Sequence, residues 1–215
     1  MRLYRKIKTI IGNYKFSTKK YWEQRYANGG NSGTGSYNKL AEFKAGIIND
    51  FVKQQNIISV IEFGCGDGNQ LSLANYTKYI GLDISETAIN KCKQMFKDDN
   101  TKSFILYDSN SKQPDIKADL TLSLDVIFHL VEDRLFHNYM IHLFNCSNKF
   151  VIIYSSNFNS PIISHEKDRK FTDWINKNEP DWHLLKVINN KYPYILDDPD
   201  NTSKSDFYIY SKKNF

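Results

Sequence analysis

The segment Val60-Ile-Glu-Phe-Gly-Cys-Gly-Asp-Gly68 constrains this chain more than any other, because an apolar run of strand character ends on three alternate glycines. Glycine there lets the backbone turn sharply, and it lets a ligand approach main-chain N–H groups with no Cβ in the way. A strand, a turn and a helix form the first unit of an α/β sheet, and the residues after them repeat it. Short β-branched or apolar runs at 59–63, 79–83, 103–107, 120–124 and 150–154 alternate with helical patterns at 70–75, 86–96 and 131–145. Five parallel strands covered by helices are expected. After Ser160 a helix is expected over 168–177, and strands over 182–188 and 205–211. The last two are joined by a polar stretch with Pro193 and Pro199 and no helical period, which favours an antiparallel pair over a parallel crossover.

Upstream, 18–27 reads as a helix, and Gly29, Gly30, Gly33 and Gly35 then interrupt regular structure. Residues 40–52 resume an amphipathic helix with Leu40, Phe43, Ile47, Ile48 and Phe51 on one face. A glycine-rich loop between two helices suits a cover over a ligand. The chain therefore divides into a helical cover at 1–56 and an α/β domain at 57–215, one compact unit overall. The basic N-terminus carries Leu3, Ile7, Ile10 and Ile11 at nearly helical spacing. It either packs on its own domain or on a second subunit, which leaves a homodimer open, or lies on an anionic membrane surface.

Composition narrows the class. The 29 Lys and Arg exceed the 24 Asp and Glu by only five, too little to demand a nucleic-acid partner without a local basic stripe. No apolar run approaches the roughly 20 residues that span a bilayer. Cys65, Cys92 and Cys146 are odd in number and widely spaced, so they build neither a disulfide framework nor a CxxC-type zinc site. A cytoplasmic protein with no integral membrane segment is expected.

A dinucleotide fingerprint would require a glycine at 69, where Asn69 stands, whereas Glu62 lies two positions before the first glycine. Asp83 ends the second strand, about 20 residues after the glycine turn, where a carboxylate can accept from ribose hydroxyls. Asp108 ends the third, and residues 119–129 form the fourth strand and the segment after it. Gly and Asp favour turns in any α/β protein. Four such elements in register across 60–129 go further, and together they resemble the class I S-adenosylmethionine-dependent methyltransferases. The resemblance implies a Rossmann-like seven-stranded sheet, mostly parallel with a late antiparallel strand, and helices on both faces. It also implies S-adenosyl-L-methionine as cofactor and S-adenosyl-L-homocysteine as product. The cofactor contacts implied are Glu62, Gly64, Cys65, Gly66, Asp83, Ile84, Asp108, Ser109 and Leu124, with Tyr21 and Arg25 from the cover.

Tyr21-Trp-Glu-Gln-Arg-Tyr26, Gly29-Gly-Asn-Ser-Gly-Thr-Gly-Ser36, His165 with Arg169-Lys-Phe-Thr-Asp-Trp174, and Asn190-Lys-Tyr-Pro193 resemble a narrower group. It is a bacterial subfamily of surface (capsular) polysaccharide biosynthesis enzymes. That resemblance implies O-methylation of a small acceptor: a sugar, a nucleotide-linked group or a phosphoramidate. Methylation of an amine or amide nitrogen, and cofactor binding without turnover, are the alternatives. Acceptor contacts are expected from Trp22, Tyr26, Ser36, His165, Arg169, Lys191 and Tyr192.

Transfer from a sulfonium is an in-line displacement, so positioning carries much of the catalysis. His129, after the fourth strand, is either a base or acceptor ligand, or a packing residue at a helix start. Asp125 enters the same site, caps the next helix, or does both. His165, Arg169 and Lys191 either meet an anionic acceptor or are solvated surface charges. His137 and His142, five apart, do not share a face as helical metal ligands do and read as structural. Convergence of Asp125, His129 and His165 on a divalent metal is a minor alternative given their separation in sequence, and no metal is expected. A nucleic-acid acceptor is rejected. An exocyclic-amine methylase needs an Asp/Asn-Pro-Pro-aromatic loop after the fourth strand, and Leu124-Asp-Val-Ile-Phe128 has no proline; a cytosine C5 methylase needs a cysteine there. Cys65 reads as a packing residue in the turn.

Overall fold

The computed structural model describes residues 16–213. The basic amphipathic stretch with Leu3, Ile7, Ile10 and Ile11 lies outside them. In chain order the elements are α1 (Thr18–Ala27), α2 (Asn38–Gln54), β1 (Ser59–Phe63), β2 (Lys78–Asp83), α3 (Glu86–Met95), β3 (Lys102–Leu106), β4 (Ala118–Leu124), α4 (Asp133–Asn145), β5 (Ser147–Ser155), α5 (Phe171–Asn178), β6 (Trp182–Ile188) and β7 (Asp206–Lys212).

The seven strands form one sheet in the order β3-β2-β1-β4-β5-β7-β6. β1 to β5 are mutually parallel, and β7 runs antiparallel to both β5 and β6. Val151, Ile152 and Ile153 of β5 are fully buried, as in a strand covered on both faces. β7 is also buried at Phe207, Ile209 and Tyr210, with Tyr208 half-exposed. One apolar layer joins Ile61, Phe63 and Ile153 to α4 and α5, and the other joins Val60, Leu122 and Ile152 to α2 and α3. No helix among the described residues is long and apolar enough to cross a membrane.

β4, β5 and α2 run longer than expected, and three other helices change their bounds for physical reasons. The helix expected at 70–75 is a single 3-10 turn at Leu71–Leu73. Asn49 of α2 donates to the Leu73 carbonyl and accepts from the Asn75 amide, taking the backbone groups a longer helix would use. α4 begins at Asp133 rather than Val131, because the Arg169 guanidinium donates to the carbonyls of Leu130 and Val131. α5 begins at Phe171 rather than at 168, since the Asp168 carboxylate is drawn to Ser156 and Lys204.

Register sets the site. Phe63 pairs with Leu82 and Glu62 with Leu122, so the glycine turn, Asp83 and the residue after Leu124 emerge beside one another. The strand order reverses between β1 and β4, which opens a crevice beyond their carboxyl ends.

Candidate active site

The glycine turn is held from both sides. Gly66 N donates to Asp83 Oδ2 at 2.9 Å, and Ser85 N donates to Asp83 Oδ1 at 2.9 Å. The cover closes directly on this turn: Ser32 N donates to Asp67 Oδ2 at 2.9 Å, and Asp67 N donates to Ser32 Oγ at 3.0 Å. Tyr37 OH donates to the same Asp67 oxygen at 2.9 Å. Gly66 has φ +60°, and a Cβ there would stand 2.2 Å from Ser32 Oγ, so only glycine allows the approach. α1 is clamped by Glu23, whose carboxylate accepts from the hydroxyls of Ser85 and Thr87 at the start of α3. Those bonds draw its pKa below the usual carboxylate range.

Two adjoining cavities result. The first holds about 800 Å³ of empty space including its open mouth. Its walls contain the predicted Glu62, Gly64, Cys65, Gly66, Asp83, Ile84, Ser109 and Leu124, together with Asp125 and His129, and Trp22, Tyr26 and Ser36 of the cover. The second cavity shares Trp22, Ser32, Asp125 and His129 with it and adds Arg25, His165, Glu166, Asp200 and Lys204. Thr34, Thr202, Ser203 and Ser205 also line this space, with the Thr202 hydroxyl donated to the Asp198 carbonyl and the Ser205 hydroxyl to Asp125.

Several expected contacts lie elsewhere. Asp108 lines neither cavity and pairs with Lys19 at 3.4 Å, while its neighbours Tyr107 and Ser109 face the first cavity. Tyr21 also lies outside both and stacks on His165 at 4.4 Å. Arg169 is a brace rather than a cavity residue: besides the two carbonyls it pairs with Asp133 at 2.7 Å and lies over the Phe136 ring. Lys191 lies over the ring of Tyr192, which packs edge-on against Phe43, and neither lines either cavity. Tertiary packing turned these side chains away, which no local pattern encodes.

Asp125 does not cap a helix; its neighbour Val126 precedes the 3-10 turn at Ile127–His129, and Glu132 precedes α4. It holds a left-handed backbone, φ +57°, with its N–H donating to the Tyr154 carbonyl at 2.8 Å. Its Oδ2 accepts from Lys44 Nζ at 2.8 Å and its Oδ1 from Ser205 Oγ at 2.8 Å. Lys44, whose fully buried side chain holds Asp125 in place, is a residue the sequence reading missed. One signal was present, since Lys44 stands four residues after Leu40 and four before Ile48, in the apolar stripe of α2. Ser32, Asp67, Gln70 and Ser205 carried no such signal.

Burial pushes Glu62 up to about 7, opposed by the Tyr79 hydroxyl and by Lys44. Burial pushes Asp83 up to about 6 against the backbone donors of Ser85 and Gly66. His129 is drawn down to about 3 by burial and by the neighbouring His165. Its Nδ1 lies 3.4 Å from the His165 carbonyl, which can only accept, so Nδ1 carries the proton and Nε2 is left as an acceptor. His129, His165 and Glu166 place three donor atoms within 4.8 Å of one another. The two imidazoles, however, stack at 5.0 Å with planes 10° apart, so their in-plane lone pairs do not converge on one metal position.

The family described as "Methyltransferase domain" has a model that matches residues 54–203. No curated protein matches the sequence. Among solved structures, the N-methyltransferase NodS of Bradyrhizobium japonicum WM9, in complex with S-adenosyl-L-homocysteine, is similar with a TM-score of 0.69 and 11% identity. That alignment covers 92% of this chain and 99% of that one. Magnesium protoporphyrin IX methyltransferase of Synechocystis PCC 6803, with S-adenosylmethionine bound, reaches 0.67 at 15% identity, over 94% of this chain and 100% of that one. The methyltransferase domain of bacterial CtHen1 reaches 0.63 at 19% identity, over 81% and 100%. At such identities the likeness speaks for the fold.

Replacing Lys44 by Met leaves Asp125 without its buried cation. Stability should fall by about 3 kcal/mol, the lower end for breaking a buried pair, because Asp125 keeps Ser205. Denaturant unfolding that shows no loss would remove Lys44 from this role. The raised Glu62 carboxyl has a pH signature of its own. A carboxyl whose pKa is higher folded than unfolded adds stability at low pH, which is lost as pH rises from about 4 to about 7. The melting-temperature difference between wild type and Glu62→Gln should therefore shift toward the wild type as pH falls across that window.

Proposed function

Because the chain belongs to the methyltransferase-domain family, we propose that it transfers a methyl group from S-adenosylmethionine to a hydroxyl of a small, sugar-like acceptor in the cytoplasm. The observation that carries this reading is the pair of adjoining cavities that meet at Trp22, Ser32, Asp125 and His129. The residues of the first fit the cofactor. Asp83 keeps unused lone pairs beside its two backbone donors and would accept from ribose hydroxyls. Glu62, Gly64, Cys65 and Gly66 would hold the methionyl end, and Ile84, Ser109 and Leu124, with Tyr107, would border the nucleoside. The bound sulfonium supplies an electrophilic methyl carbon open to in-line displacement.

The chain's own contribution is orientation and exclusion of water. Trp22, Tyr26 and Ser32 of the cover wall the junction, which strengthens every polar interaction inside it. His129, neutral at working pH, presents Nε2 as an acceptor for the reacting hydroxyl and so aims an oxygen lone pair. With so low a pKa the ring positions the hydroxyl and does not keep its proton, which passes to water in the second cavity as the O–CH3 bond forms and the S–CH3 bond breaks. Lys44 and Ser205 fix the Asp125 carboxylate at the same junction.

The mixed donors and acceptors that line the second cavity, among them Arg25, Thr34, Glu166 and Asp200, suit the several hydroxyls of a sugar, of the kind used in capsular polysaccharide synthesis. Arg169 and Lys191 are not in this cavity, and Lys204 is paired with Asp168 and Glu166, so an anionic acceptor finds only Arg25 without a carboxylate partner among the described residues. A second reading, methylation of an amine, draws on Glu166 and Asp200, whose charges suit a cationic acceptor. Mass spectrometry of products from matched panels of sugars, nucleotide-linked sugars and amines separates the two.

Asp83→Asn should weaken S-adenosylhomocysteine binding by about 1.5–3 kcal/mol, the worth of hydrogen bonds to a charged group; unchanged affinity in calorimetry defeats the ribose assignment. His129→Ala should lower kcat by about tenfold to a hundredfold with that affinity nearly intact, since only the acceptor loses a contact. The wild-type kcat should show no inflection near pH 6.5 from this residue. A fall in S-adenosylhomocysteine affinity equal to the fall in kcat would assign His129 to the cofactor instead.

A further inference from the structure

We propose that Gln70 recognises the α-ammonium group at the methionyl end of S-adenosylmethionine, an inference that rests on the cofactor reading above. Gln70 lies in the wall of the first cavity and is 8% exposed. Its Nε2 donates to the main-chain carbonyl of Ala41 at 3.1 Å. A carbonyl can only accept, so this bond fixes which way round the amide stands. The other amide atom, Oε1, is then a buried acceptor with no partner. Buried amide oxygens are nearly always paired, so this wall is arranged to receive a donor.

The cofactor offers three kinds of donor: the ribose hydroxyls, the adenine amino group and the α-ammonium. The sheet decides among them. Asp83 ends β2 and Ser109 follows β3, and both strands lie on one side of β1. The nucleoside end therefore runs from β1 toward β3. Gln70 is tied instead to α2 through Ala41, one helical turn before Lys44, whose ammonium reaches Asp125 on the β4 side of β1. The reacting methyl must also face that side, where the two cavities share Asp125 and His129. Only the amino-acid end remains for Gln70.

The charges agree with this placement. Lys44 is held at 2.8 Å by Asp125, so its charge is compensated, and Glu62 stands in the same cavity wall. A neutral amide oxygen accepting from an ammonium makes a charge-assisted bond without adding a second buried anion. Gln70 thereby discriminates the intact amino-acid cofactor from thioether nucleosides that lack the amine.

Calorimetry with three ligands tests this: S-adenosylhomocysteine, its desamino counterpart that keeps the carboxylate, and 5′-methylthioadenosine. Wild type should bind S-adenosylhomocysteine at least about tenfold more tightly than the desamino compound, the worth of a bond to a charged group. Gln70→Leu should weaken S-adenosylhomocysteine by about tenfold to a hundredfold and change the other two by less than about twofold. Equal losses for all three ligands would overturn the assignment and leave Gln70 as a brace for α2 through Ala41. Equal affinity of wild type for the first two ligands would overturn it without any variant. Failure of wild type to bind any of the three would instead overturn the cofactor reading itself.

Discussion

The Asp125 carboxylate is the joint on which the rest of the site depends. It receives Lys44 from α2 on one oxygen and Ser205, just before β7, on the other, while its own N–H is tied to the end of β5. Four separate stretches of chain are thereby held around the point where β4 ends. A fully buried ammonium is tolerable only with such a partner, because an unpaired charge in the interior costs several kcal/mol. The pair also explains why an aspartate accepts a left-handed backbone there: the conformation aims its carboxylate at both partners. A Cβ on Gly35 would stand 2.8 Å from Asp125 Oδ2, so the glycine-rich loop lies against the same carboxylate.

From that joint the cover is built outward. α2 fixes one end of the glycine-rich loop, Glu23 fixes α1 to the start of α3, and Ser32 and Asp67 exchange hydrogen bonds between them. A second cluster secures the far side: His165 lies between the rings of Tyr21 and His129, at 4.4 Å and 5.0 Å. Both histidines are drawn below their usual pKa by burial, so the stack is one of neutral rings near pH 7. A like-charged pair of imidazolium rings at that spacing would repel. The cover therefore meets the sheet through neutral rings on one side and hydrogen-bonded carboxylates on the other.

Cation use shows how tertiary structure redistributes charge that sequence merely provides. Arg169, Lys191 and His165 are close in kind, yet they come to different ends. Arg169 stabilises two free carbonyls before α4, Lys191 lies over an aromatic ring, and only His165 enters a cavity. Arg25 and Lys204 stand where the first two were expected. Arg169 suits its bracing role because its planar fork can serve carbonyls, a carboxylate and an aromatic face together.

By itself the sequence determined the features that depend on neighbours along the chain. Apolar runs ending on glycine, aspartate or serine specified the strands of the parallel sheet, the alternation of Phe207 and Ile209 with Tyr208 and Tyr210 specified β7, and three glycines specified the turn that Asp83 supports. These patterns are legible because strand period, glycine freedom and strand-end chemistry act within a few residues. The tertiary structure alone decided which side chains share a space. Lys44 and Asp125 are 81 residues apart, and Ser205 lies another 80 beyond. The helix expected at 70–75 was shortened by Asn49, and the start of α4 was moved by Arg169. In each case a partner distant in sequence offered a backbone or buried charge a better hydrogen bond than its neighbours did, and such competition is settled only once the sheet has brought the two together.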